Sequence, residues 1–228
     1  MKALEKIFKI KTGQSELFKR ALTHPSYTKE KEIPYDENYE RLEFLGDAVL
    51  KLVTSQILYE KYPEYTEGNL SKIRSIVVSD STLAKIAQEI GLCDLIILAP
   101  HEAKQGFAKI ESVCACAFEA ILGAYYLDGK LKKLIPFLEK VLMPYIEAVD
   151  GNFEKYNAKA ILQEYTQSVN KKTPVYNLIG ETGPAHKKNF TVEVLFQEKV
   201  IAQGSGKSKK DAEQHAAYEA CRVLGVIK

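Results

Sequence analysis

Within NYERLEFLGDAVL (38–50), Glu40, Glu43 and Asp47 recur at intervals of three and four residues. On a helix each residue advances about 100°, so the three carboxylates fall within roughly 60° of one another. Leu42, Leu45 and Val49 then share the opposite face. Like charges so placed repel and weaken a helix. A divalent cation would offset that repulsion, and carboxylate oxygens suit hard ions, Mg²⁺ first with Mn²⁺ as its substitute. The same spacing also fits an ordinary solvated acidic face. Phe44 lies at about 40° on the same wheel, beside the carboxylates. A large aromatic there calls for cover, from another subunit or from a neighbouring helix of the same chain.

A second segment, SVCACAFEAILGAYYL (112–127), is almost entirely apolar or small, with Glu119 in its middle. It is too short and too interrupted to span a bilayer. A carboxylate in such a helix is costly unless it is paired, hydrogen-bonded or bound to metal. An Arg or Lys partner would satisfy it. So would a cation shared with Glu43 and Asp47.

NYERLEFLGDAVL (38–50), EGNLSKIRSIVVS (67–79) and ESVCACAFEAILGAYYLD (111–128) together resemble bacterial ribonuclease III, a family of double-strand-specific RNA endonucleases. The resemblance implies a metal site of Glu43, Asp47, Glu119 and an Asp three residues before Glu119. Asp47 and Glu119 are the positions it identifies with catalysis. Glu40 matches an acidic position associated with RNA contact. One departure stands out: the Asp-x-x-Glu pair reads Cys116-Ala117-Phe118-Glu119 here. A neutral thiol is a poor Mg²⁺ ligand, and a water could fill the place of the missing oxygen. Cys114 and Cys116 alternate on a helix, so they do not converge on one soft metal.

The elements that must position these residues are helical through the first two thirds of the chain. The periodicity predicts helices over 2–9, 15–22, 37–61, 68–76, 80–90, 101–127 (broken near Gly106) and 131–148. Thr23-His24-Pro25-Ser26 and Tyr62-Pro63 punctuate them. Residues 149–156, DGNFEKYN, read as a short polar linker. After a helix over 157–167 come strand-like runs around PVYNLIG, NFTVEVLF and KVIAQGSG, then a final helix. That α-β-β-β-α order, with GPAH (183–186) and GSGKSKKDAEQHAA (204–217), resembles a double-stranded RNA-binding domain. Ser208 is a candidate N-cap boxed by Asp211. Lys209 and Lys210 then oppose the helix dipole, which makes sense if they and the helix end receive phosphates; a solvated basic cap is the plain alternative. By the same resemblance Gln163 and Glu164 face a minor groove, His186 enters a second one, and Lys207, Lys209 and Lys210 span the phosphates between. Such a surface reads A-form shape more than base sequence.

Charge divides in keeping with this. Residues 157–228 carry 11 Lys/Arg against 7 Asp/Glu, whereas residues 1–156 carry 21 against 23. The four cysteines show neither the density of a disulfide framework nor zinc spacing. No signal peptide is visible in MKALEKIFKIKTG, so the cytoplasm is the simplest address, and no membrane partner is expected.

The sequence thus reads as an all-α endonuclease domain (1–148), a linker (149–156) and a small α+β double-stranded RNA-binding domain (157–228). The expected activity, implied by the family, is Mg²⁺-dependent cleavage of duplex RNA by a homodimer. Its products would be 5′-phosphate and 3′-hydroxyl ends with short 3′ overhangs, in ribosomal or messenger RNA processing. The alternative is a duplex-RNA-binding protein whose nuclease centre is weak or inactive because of Cys116.

Overall fold

The computed structural model describes residues 1–184 and 187–227, and the chain divides into two compact units, Met1–Ala148 and Val149–Lys228. The first unit contains α1 (Lys2–Phe8), α2 (Ser15–Leu22), α3 (Pro25–Glu30), α4 (Glu40–Lys61), α5 (Glu67–Val77), α6 (Asp80–Glu89), α7 (Pro100–Lys104), α8 (Glu111–Leu127) and α9 (Leu131–Asp150), which runs two residues past the division. Two departures from the periodicity have local causes. The Thr23–Ser26 stretch does not only punctuate: Pro25 opens α3, since the first helical position needs no N–H, and the His24 ring accepts the Ser26 N–H at 3.1 Å. The break near Gly106 is wider than one residue, with a one-turn 3₁₀ helix at Phe107–Lys109 between α7 and α8.

Helix α8 is the axis of this unit. Its faces are apolar nearly all round, and eleven of its 17 residues are buried. Phe8 and Phe18 pack against its Tyr125, with ring centroids 5.1 and 4.7 Å away. Helix α4 crosses α8 backbone to backbone. A Cβ on Gly46 would overlap the Glu119 carbonyl, and one on Gly123 would overlap the Leu42 carbonyl. Gly46 stands between Glu43 and Asp47, and Gly123 one turn beyond Glu119. The two glycines therefore set how near the acidic residues of the two helices come.

The second unit comprises α10 (Phe153–Asn170), β1 (Val175–Thr182), β2 (Asn189–Phe196), β3 (Lys199–Gly206) and α11 (Lys209–Val223). Within residues 149–156, read as a short polar linker, α9 continues to Asp150 and α10 begins at Phe153. The sheet is antiparallel in the order β1-β2-β3. Its register sets Tyr176 and Leu178 opposite Val194 and Val192, and Val194 opposite Ala202. Val192 and Val194 face Ala158 and Leu162 of α10 and the stripe Ala212, Ala216, Ala220 of α11. A Cβ on Gly204 would overlap the α11 backbone at Ala216, so bare backbone lets that helix lie directly on β3.

Candidate active site

The acidic stripe begins where the chain enters α4. Buried Asn38 accepts the Glu40 backbone N–H at 2.9 Å through Oδ1, and the Tyr39 N–H donates to the Thr23 carbonyl at 2.9 Å. Glu40 and Glu43 then fall in the first helical turn, where unsatisfied N–H groups carry partial positive charge and favour acids. That is one reason this helix tolerates its carboxylates.

Each carboxylate has its own surroundings. Asp47 accepts from Lys51 Nζ, one turn on, at 2.7 Å. Glu43 is half-buried and lies beside the Cys116 thiol. Burial pushes Glu43 up from the usual carboxylate range; the thiol opposes this, while Glu40, Asp80 and Asp47 add to it. Glu119 is pushed up to about 8, first by burial and then by Asp47, Glu43 and Asp80, with only Lys51 pulling the other way. It makes no salt bridge among the described residues, so the Arg or Lys partner that would neutralise it is absent there. Cys116 is pushed up to about 12, by burial first and then by Glu43, so its sulfur is a neutral thiol and not a thiolate.

This arrangement can accept a cation. Three carboxylates from two helices, one pushed up to about 8 by burial first and then by its acidic neighbours, form a donor set of hard oxygens short of positive charge. They are not a ready-made ligand cage. Among the described residues no three His, Cys, Asp or Glu side chains converge on a metal-sized point. Asp47 is turned to Lys51 instead. The residue chemistry fits Mg²⁺ or Mn²⁺, provided Asp47 exchanges the Lys51 ammonium for the ion.

Sequence spacing missed three participants. Asp80 sits in the first turn of α6, where Glu43, Cys116 and Glu119 all sense its charge. Lys51 was legible as an i+4 partner of Asp47. Tyr39, 5% exposed, lies close enough to Cys116 and Glu43 to feel both; no period marks it, because it precedes the helix. Phe44 is 82% exposed, so no helix of its own unit covers it. The cysteine pattern also misled: Cys93 and Cys114 are joined as a disulfide with Cα atoms 5.6 Å apart, leaving Cys116 and Cys221 free.

In the second unit Gln163 and Glu164 are exposed on α10, and Lys207, Lys209 and Lys210 are exposed at the start of α11. Ser208 caps that helix, accepting the Asp211 N–H at 3.1 Å. Asp211 Oδ2 returns not to Ser208 but to the Lys207 N–H, at 3.1 Å. The backbone at the three lysines is thereby fixed. His186 lies outside the described residues.

A helical unit with carboxylates gathered across two crossed helices, followed by an α-β-β-β-α unit with a lysine-bearing helix start, defines a nuclease coupled to an RNA-binding module. Comparison with known proteins agrees. Residues 14–146 match the ribonuclease-III-like family model and residues 158–224 the double-stranded RNA binding motif. Ribonuclease 3 of Staphylococcus saprophyticus is 42% identical over 211 residues, covering 92% of this chain and 85% of that protein. Ribonuclease 3 of Staphylococcus aureus is 42% identical over 213 residues, covering 93% and 87%. A solved nuclease domain of ribonuclease III from Campylobacter jejuni, described for structural flexibility in its dimer-forming region, has a TM-score of 0.54 and 36% identity. It covers 64% of this chain and 95% of its own. The chain belongs to the ribonuclease III family, which is a family of endoribonucleases.

Proposed function

We propose that the protein is a Mg²⁺-dependent endonuclease that cuts both strands of duplex RNA as a homodimer, leaving 5′-phosphate and 3′-hydroxyl ends with short 3′ overhangs. The observation that carries this reading is Glu119. Its carboxyl is held near 8 by burial and by Asp47, Glu43 and Asp80, a crowding that a bound divalent cation would relieve. Glu43, Asp47 and Glu119 are the residues that would hold the ion, with waters filling its remaining positions. When bound, such an ion activates water and stabilises charge on the phosphate and leaving oxygen.

The chain's own groups do the rest. Lys51 gives up Asp47 and remains beside the site as a cation for phosphate oxygens. Hydrolysis adds water across the P–O3′ bond: the phosphate stays on the 5′ end, and the 3′ oxygen leaves as a hydroxyl. Glu40 contacts RNA at the cut. Phe44 inserts into the partner subunit; the Campylobacter jejuni nuclease domain, 36% identical, is described as having a region involved in dimer formation. Gln163, Glu164 and His186 meet minor grooves, and Lys207, Lys209 and Lys210 meet phosphates. The setting is cytoplasmic processing of ribosomal or messenger RNA precursors; no helix of the described residues is long and apolar enough to cross a membrane.

Cys116 favours a second reading, a duplex-RNA-binding protein with a weak nuclease centre, because a neutral thiol stands where the family has an oxygen ligand. Incubating the purified protein with a long RNA duplex, with and without Mg²⁺, separates the two. Mg²⁺-dependent fragments bearing 5′-phosphates support the nuclease. Bound but intact duplex supports the second reading.

A further inference from the structure

We infer that His215 is a positioning residue for duplex RNA: its ring ties the end of β3 to α11 and so fixes the segment that carries Lys207, Lys209 and Lys210. The inference rests on the reading of those lysines as phosphate contacts and deepens it.

Strand β3 ends at Gly206 and α11 begins at Lys209, so only Lys207 and Ser208 join them. The junction is tight. A Cβ on Gly206 would stand 2.5 Å from Asp211 Oδ2 and 2.6 Å from the Ala212 nitrogen. Ser208 and Asp211 close the junction from the helix side, accepting the Asp211 and Lys207 N–H groups. His215, one turn beyond Asp211, closes it from the strand side: its Nδ1 lies 2.7 Å from the Ser205 carbonyl oxygen. A carbonyl only accepts, so Nδ1 carries the hydrogen and donates. Ser205 is a firm anchor. It stands opposite Thr191 of β2 in the ladder, and the two hydroxyls are 3.2 Å apart. The Nε2 edge of the ring faces Asp211 Oδ1 at 3.7 Å, beyond hydrogen-bond reach. Both ring nitrogens are thus turned to the protein's own groups, and the ring holds the junction through Nδ1. A segment already held in place presents its lysines without paying to order them on binding.

The test uses the full chain without divalent ions, so that the RNA stays whole. Binding of a duplex of about 20 base pairs, long enough for one such domain, is followed through a salt titration. The proteins are the natural chain, H215A, H215N, H215Q and the double variant K209A/K210A, with thermal unfolding to check each fold. Asn places a donor where Nδ1 stands, and Gln places one where Nε2 stands. H215A should bind about twofold to tenfold more weakly, the population factor that one hydrogen bond controls. Its log–log salt slope should be unchanged, because no phosphate contact is lost. H215N should recover most of the affinity and H215Q should not, although Gln is the better helix former. The double variant reports on the lysines themselves: if its affinity and slope match the natural protein's, the phosphate reading has failed. An arm without RNA then still decides whether His215 fixes the junction. Exchange of the Lys207 amide proton, followed by nuclear magnetic resonance, should quicken in H215A and slow again in H215N. Natural affinity in H215A while the double variant binds weakly, a flattened slope in H215A, equal rescue by Gln, or Lys207 exchange unmoved by H215A overturns the inference.

Discussion

A carboxyl group pushed to about 8 keeps its proton at neutral pH unless a cation displaces it. Glu119 therefore couples stability to pH and, in the proposed site, to the metal. Its folded value lies above the ordinary 4.5, and Glu43 shifts in the same direction. For a raised acid the folded state holds more protons than the unfolded one, so the contribution is full below about 4.5 and lost as pH rises through about 8. Without divalent ions the first unit should lose thermal stability across that window, by on the order of a few kcal/mol at most. E119Q should flatten the slope, and Mn²⁺ should restore the natural protein at the alkaline end. Parallel slopes for the natural protein and E119Q, followed by calorimetry, would remove Glu119 from this role.

At the scale of elements, the meeting of α4 and α8 decides whether the site exists. Gly46→Ala places a methyl group on the Glu119 carbonyl, and the helices have no room to yield without separating. Overpacking of this kind costs about 1–3 kcal/mol and sometimes more. The expected result is a lower unfolding midpoint together with weakened Mn²⁺ binding, since separation pulls Glu119 away from Glu43 and Asp47. A G46A protein with natural stability and affinity would mean the crossing is looser than it looks. The same scale shows what a sequence can reveal. Glu43, Asp47 and Glu119 were legible because one helical period and one polar residue in an apolar run mark them. Asp80, Tyr39 and the Cys93–Cys114 pairing were not, because each depends on separate segments meeting in space. Helix α3 was lost where Pro25 was read as a stop and not as a first helical residue. The early start of α10, at Phe153, was not legible because the polar residues there resemble a loop.

Across the whole molecule, chemistry and RNA affinity belong to different units, so they should respond to different substitutions. Changing Lys209 and Lys210 to Ala should weaken duplex binding regardless of sequence and flatten its log–log salt dependence by roughly one unit per lost phosphate contact. Cleavage at saturating duplex and low salt should persist; unaltered binding through a salt titration would leave the lysines as a solvated cap. In the proposed homodimer Phe44, 82% exposed beside the carboxylates, is the aromatic that meets the partner. Truncating an aromatic at the centre of an interface costs roughly 2 kcal/mol or more, so F44A should sediment increasingly as monomer at low micromolar concentration. An intact F44A dimer would place the interface elsewhere. The most direct test of the account measures duplex binding and duplex cleavage in the same samples of natural protein and E119Q, with Mg²⁺ present. The account predicts that E119Q, which keeps the side chain's volume and loses its ionisable carboxyl, binds duplex RNA like the natural protein and fails to cut it. Cleavage by E119Q at the natural rate would contradict it.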